Sequence, residues 1–376
     1  MLKKIIKQVI TVWNILAITV VMFIIVNALL WIVIIARHSS SDIGIDVSAN
    51  TYSADGKNDN KINLLLRETS AEQFVYEPFT QFKETPLSSL YMNVSPYGFR
   101  SIRNQGSWPI NSNNINIFVF GGSTTFGYGA ADYQSIPSYL QEHLKNKTEN
   151  VSVYNFGRAY YYSTQERILF ESLLSSGSIP DIVIFVDGLN DFFNYENTPA
   201  LTNTLNNYNN SLGNVIEDKI GRLPIMQLYN FASVKLTNGG LPSTGQDISE
   251  SSSKVQKVIR TYENNKRMIN AISTEYNVQP FFVWQPIPFY NSFRELDDLS
   301  GWLSYSRFGY DVMNKKRLNN ELDDNFIWLP NLNSDSEDYI DLVHYSPKFS
   351  ARIASSISNF ISPYVGKISK ERKSDK

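Results

Sequence analysis

The sequence predicts an α/β protein: a three-layer sandwich with helices on both faces of a five-stranded parallel sheet, preceded by one transmembrane helix. Three observations predict it. Five short apolar runs recur along the chain, segments of helical periodicity fall between them, and an uncharged stretch near the start differs from everything after it. With 376 residues, 42% of them hydrophobic, the chain has ample material for a core of that size.

The N-terminal stretch comes first. Residues 9–36 carry no charge and only Thr11, Asn14, Thr19 and Asn27 as polar interruptions. At ~1.5 Å per residue such a helix reaches roughly 42 Å, enough to cross a hydrocarbon core of about 30 Å. The run exceeds the apolar region of a secretory signal and ends in Ile34-Ile35-Ala36-Arg37, a poor cleavage context, so an uncleaved signal anchor is expected. Lys3, Lys4 and Lys7 precede the span, whereas Arg37, Asp42 and Asp46 follow it. That bias predicts a cytoplasmic stub at 1–8 and the remainder outside, in the periplasm if the cell is Gram-negative. Residues 37–73 read as a tether, 74–362 as the soluble domain, and 363–376 as a solvated, charged tail.

The expected strands are residues 116–120 (NIFVF), 151–155 (VSVYN), 182–187 (IVIFVD), 280–284 (PFFVW) and 326–329 (FIWL). Apolar runs of this kind suit strands covered on both faces. Between them Ile136, Tyr139, Leu140 and Leu144 share one helical face, as do Val255, Val258, Ile259, Tyr262, Ile269, Ile272 and Tyr276. A last helix opens with Ser346 as N-cap and Pro347 in its first turn, and carries Phe349, Ile353, Ile357 and Phe360. Residues 195–253 form an insertion, Asn/Thr-rich at its start and Gly/Ser-rich at its end.

Composition excludes several chemistries. Lys+Arg is 34 against 36 for Asp+Glu, so no basic excess exists to neutralise a nucleic acid, and no nucleic-acid partner is expected. The absence of cysteine removes disulfides, thiolate metal sites and cysteine nucleophiles. His38, His143 and His344 are the whole supply of imidazole, which with scattered carboxylates makes no transition-metal site. No GxGxxG or GxxxxGK[ST] follows any strand, so a Rossmann or P-loop site is excluded, and neither cofactor nor metal is expected.

Ligands of doubly wound sheets bind beyond the carboxyl ends of the strands. There the chain has Gly121-Gly122-Ser123-Thr124-Thr125-Phe126-Gly127, then Asn155-Phe156-Gly157, then Gly188-Leu189-Asn190-Asp191, and finally Asp341-Leu342-Val343-His344. Ser123 on a tight strand-to-helix turn is a candidate nucleophile, needing a base to take its proton. His344 is the candidate base, since His38 abuts the span and His143 lies on an expected surface helix. Asp341 can fix its tautomer. The N–H groups of Ser123 and Gly157 and the Asn190 amide are candidate oxyanion donors. Each group alone also fits a structural role: an ordinary loop or anion nest for GGST, an Asx turn for Asn190-Asp191, a helix cap for the last.

Taken in order, the four groups resemble the SGNH branch of the GDSL esterase/lipase superfamily. That resemblance covers roughly residues 113–362 and maps the named serine, glycine, asparagine and histidine onto Ser123, Gly157, Asn190 and His344, with Asp341 as partner. It implies a flavodoxin-like sandwich and ester hydrolysis. One departure is plain: the family's usual aspartate before the serine is Gly122 here. The expectation is a membrane-anchored extracytoplasmic serine esterase that removes acyl groups, O-acetyl foremost, from an envelope glycan. The alternatives are an O-acetyltransferase with the same triad, a lipid-directed esterase, and an inactive glycan-binding scaffold. The insertion and the loop at 286–309 are expected to wall the pocket or to lie apart from it; Tyr195, Tyr208, Tyr229, Tyr290, Trp302 and Tyr305 are candidate sugar-stacking residues.

Overall fold

The computed structural model describes residues 1–40, 59–70, 73–148, 150–202, 223, 225–226, 246–288, 290, 302–332 and 336–374. The chain divides into two compact units, residues 1–45 with 203–244, and residues 46–202 with 245–376.

In the first unit, α1 (Leu2–Ser40) is one continuous helix that takes in the residues expected as a stub. Its segment Leu2–Ile32, with a mean hydropathy of 2.8, is long and apolar enough to cross a membrane. Its polar side chains are satisfied within the helix. Thr11 and Thr19 donate to Lys7 O and Ile15 O, and Asn27 Nδ2 donates to Phe23 O, each at 2.9 Å. Bonding to the carbonyl four residues back is how such residues are tolerated in lipid.

The second unit opens with α2 (Asp59–Thr69) and two small antiparallel pairs, β1 (Phe74–Glu77) with β2 (Gln81–Glu84) and β3 (Leu87–Ser88) with β4 (Asn93–Val94). Then come β5 (Ile115–Gly121), α3 (Ser123–Phe126), α4 (Ile136–Lys145), β6 (Val151–Asn155) and α5 (Ser163–Ser175). Next are β7 (Ile182–Asp187), α6 (Leu189–Phe193) and α7 (Gln246–Glu275). The chain closes with β8 (Gln279–Trp284), α8 (Trp302–Leu318), β9 (Phe326–Trp328) and α9 (Pro347–Ser374).

β5 to β9 form the expected five-stranded sheet, in the order β6-β5-β7-β8-β9, with every pair parallel. Strand periodicity divides the core in two. Phe118, Phe120, Phe185, Phe282 and Trp284 face α5, α7 and α8, whereas Ile117, Val119, Ile184, Phe281 and Val283 face α4 and α9. Phe120, Phe185 and Phe282 are register partners whose rings stack across three strands at 4.9 and 5.7 Å. The aromatic face is stiffened by this ladder. From β5 the chain runs outward to β6 and then returns past β5 to β7. The switch point therefore lies between the ends of β5 and β7, which carry the groups of Ser123 and Asn190.

Two segments differ from expectation. Within the tether, residues 59–69 are helix α2, with Leu65 and Leu66 buried against Ala131 and Ile340. Within the charged tail, α9 continues to Ser374: Val365 is buried and Arg372 donates to Asn114 O at 2.6 Å and pairs with Asp181. Both segments lie against the domain because each carries an apolar stripe or a paired charge that docks. The insertion's residues 203–222, 224 and 227–245 lie outside the described residues, and its last residues, 246–253, begin α7.

Candidate active site

Ser123 is the first residue of α3, a single helical turn entered from Gly122 and closed by Gly127. Gly127 holds φ +96 and returns its N–H to Ser123 O at 2.8 Å. That left-handed conformation suits glycine and ends the helix after one turn. Ser123 Oγ lies 2.9 Å from His344 Nε2. On the other side of the ring, His344 Nδ1 lies 2.6 Å from Asp341 Oδ2. A carboxylate beside Nδ1 keeps the proton there, so Nε2 presents its lone pair to the serine hydroxyl.

Asp341 does more than touch the ring. Its Oδ1 accepts the backbone N–H of Val343 at 2.8 Å and of His344 at 2.7 Å, closing the turn that carries the histidine. Burial pushes the Asp341 carboxyl up, but the His344 hydrogen bond and charge, with the two backbone donors, outweigh it and hold the group below the usual carboxylate range. The His344 ring is also stacked on Tyr128, with centroids 5.9 Å apart. The imidazole is thus held on one edge by a charge and on one face by an aromatic ring.

Asn190 lies in α6, immediately past β7. Its Nδ2 donates to Tyr161 O at 2.7 Å, leaving the second amide hydrogen without an acceptor among the described residues. The turn beneath it is closed by Asp191, whose Oδ2 accepts Gly188 N–H at 3.3 Å and whose Oδ1 accepts Ser163 Oγ at 2.6 Å. The Ser123 N–H has no acceptor among the described residues either.

Gly157 departs from its expected role. Its N–H donates to Asn155 Oδ1 at 3.0 Å, so the hydrogen expected for an oxyanion is already bonded within the turn. The glycine serves packing instead: a β-carbon there would lie 2.4 Å from Phe126 N and 2.8 Å from Thr125 C, inside the backbone of α3. Among the stacking candidates, Tyr290 is buried beside Tyr310 and Trp328, and Tyr195 lies under the Lys254 ammonium at 4.9 Å. Tyr208 and Tyr229 lie outside the described residues, as does most of the loop at 286–309, and Trp302 and Tyr305 begin α8. No group of three or more metal-binding side chains occurs among the described residues.

Sequence reasoning missed Tyr128, which stacks on the base, and Gln285, the polar residue ending the apolar run of β8. Thr124 Oγ1 donates to Gln285 Oε1 at 2.8 Å. The strand-end rule that found Ser123 and Asn190 applies equally to position 285.

A family model for GDSL-like lipases and acylhydrolases matches residues 117–357, and the chain belongs to that family. It is a hydrolase of ester bonds. Among solved structures, it is similar to a putative lipolytic protein of the G-D-S-L family from Desulfitobacterium hafniense, at 12% identity over 66% of this chain and 99% of that one, with a TM-score of 0.37. A putative arylesterase from Agrobacterium tumefaciens is 14% identical over 66% of this chain and 98% of its own, with a TM-score of 0.37. The psychrotrophic esterase EstA from Pseudoalteromonas is 12% identical over 67% and 100%, with a TM-score of 0.36. At these scores the assignment rests on the family match alone. No curated protein matches the chain.

Proposed function

We propose that the chain is a membrane-anchored, extracytoplasmic serine esterase that removes acyl groups, O-acetyl foremost, from an envelope glycan. The observation that carries its chemistry is the unbroken series Ser123 Oγ, His344 Nε2, His344 Nδ1 and Asp341 Oδ2, with links of 2.9 and 2.6 Å. Ser123 Oγ attacks the ester carbonyl carbon while its proton passes to His344 Nε2. The carbonyl oxygen becomes an oxyanion and accepts from the Ser123 N–H and the second Asn190 amide hydrogen. Collapse breaks the bond to the alcohol oxygen, which leaves with the proton from His344. Water then attacks the acyl-serine, His344 takes its proton and returns it to Ser123, and the carboxylic acid departs. The apolar helix α1 and the lysines in its first turns support anchoring with this domain outside, which is where acylated envelope glycans are met.

The test is labelling of the full chain with a fluorophosphonate, followed by release of acetate from acetylated glycans. Labelling lost in Ser123→Ala, with acetate released, supports the reading. Folded wild-type protein that takes no label overturns the nucleophile. Transfer of acetyl to an added sugar in place of release makes the chain an O-acetyltransferase, and cleavage of lysophospholipid alone makes it lipid-directed. A reporter fused after Lys376 that is active only in the cytoplasm overturns the location.

A further inference from the structure

Gln285 is almost fully buried and immediately follows β8, the strand that contributes none of the four family residues. Its hydrogen bonds reach every part of the proposed machinery. The side-chain Oε1 accepts Thr124 Oγ1 at 2.8 Å, and Thr124 is the residue after the nucleophile. The same oxygen lies 3.0 Å from the hydroxyl of Tyr345, the residue after the base. That hydroxyl also donates to Pro286 O at 2.7 Å, so its hydrogen lies between two acceptors on adjacent residues. Burial pushes the Tyr345 phenol well up, which keeps it a donor. The Gln285 backbone is fixed as well. Its N–H donates to Asp187 O at 3.0 Å, at the strand end leading to Asn190, and its carbonyl accepts Tyr310 OH from α8 at 2.9 Å.

Thr124 and Tyr345 are themselves buried, at 4% and 3% exposure, so neither hydroxyl has water as an alternative partner. An unmet buried hydroxyl costs enough to make these bonds directional constraints, not decoration. The segments they join are 161 and 60 residues away from Gln285 in sequence, and no backbone ladder connects Thr124 to Tyr345. We infer that Gln285 is a positioning residue that sets the separation of Ser123 and His344 by clamping the residue after each to the end of β8. This rests on the proposed role of Ser123 and His344. It acts through Thr124 and Tyr345 and touches no reacting atom.

The test compares Gln285→Met, which keeps volume but removes the acceptor, with Gln285→Glu, which keeps an oxygen for both hydroxyls. Wild-type labelling at Ser123 by a fluorophosphonate comes first; if it fails, the proposed nucleophile is wrong, independently of Gln285. With wild-type labelling in hand, Gln285→Met should lower kcat and the labelling rate together by about 10- to 100-fold, the scale of a displacement near 1 Å, with KM changed less than about twofold. Gln285→Glu should recover most of that loss. Thr124→Val added to Gln285→Met should cost little more, because both remove one link. If Gln285→Met does not fold, Thr124→Val alone should lower kcat several-fold at constant KM. Folded Gln285→Met or Thr124→Val protein with wild-type kcat, or a Glu variant no better than Met, overturns the inference.

Discussion

A β-carbon on Gly122 would lie 2.3 Å from Asn190 Nδ2 and 3.3 Å from Tyr161 O, the carbonyl that holds that amide. The backbone at Gly122, with φ −79, is open to any residue, so close approach and not conformation is what demands glycine. The family's usual aspartate could not occupy this position without moving Asn190. The substitution and the amide donor are therefore one structural unit, and the departure at position 122 is matched by the position of the neighbouring strand end.

Restoring the family residue should accordingly damage the enzyme. Gly122→Asp and Gly122→Ala should each lower kcat on the order of 10²–10³, the cost of losing one oxyanion donor, with little change in KM. Asn190→Ala should do the same. The double variant Gly122→Ala with Asn190→Ala should be no worse than either single one, since the smaller side chain frees the space. Steady-state kinetics of the four variants decide this; losses that multiply would separate the two positions.

Asp341→Asn isolates the tautomer from the turn. The asparagine oxygen can keep the Val343 and His344 backbone donors, so the turn survives. Its amide then directs a hydrogen at His344 Nδ1, which moves the ring proton to Nε2 and points it at Ser123 Oγ. A histidine so protonated cannot accept the serine proton, and kcat should fall on the order of 10⁴-fold with the melting temperature little changed. Melting curves and steady-state esterase kinetics of this variant check both statements.

The strand ends, the order of the site groups and the two-faced core were legible because short continuous apolar runs and glycine-punctuated turns are local signals. Helix α2 was legible in principle, since Ile62, Leu65, Leu66 and Thr69 fall on one helical face, but the polar segment before it hides a single short turn of packing. The role of Gly157 could also have been read locally. An Asn two residues before a glycine forms an Asx turn, and Asn155 uses its oxygen that way. The clamp at Gln285 could not. Its partners are brought to it by strand order and by the return of the chain before α9, which no local pattern encodes.

Behind Asn190 lies a buried acidic group that gives stability an unusual pH dependence. Glu166, Asp187 and Asp191 are all at most 4% exposed, and neither Glu166 oxygen has a hydrogen-bond donor among the described residues. Burial pushes Glu166 well up, helped by the charges of Asp187 and Asp191; burial and the Asp191 charge push Asp187 well up in turn. Burial and mutual repulsion thus favour a proton retained within the Glu166–Asp187 pair in the folded chain. A folded-state carboxyl raised above its unfolded value binds more protons in the native state. Its contribution is complete below the unfolded value near 4.5 and declines as pH rises toward the folded one. Glu166→Gln keeps a donor toward Asp187 without a proton to lose, so its stability should fall less than that of the wild type between pH 5 and 9, by about 1–3 kcal/mol. Glu166→Leu removes the donor and should be destabilised at every pH by a similar amount. Urea unfolding of the three proteins across that range measures the difference, and parallel pH curves for wild type and Glu166→Gln would show that Glu166 is ionised in the folded chain.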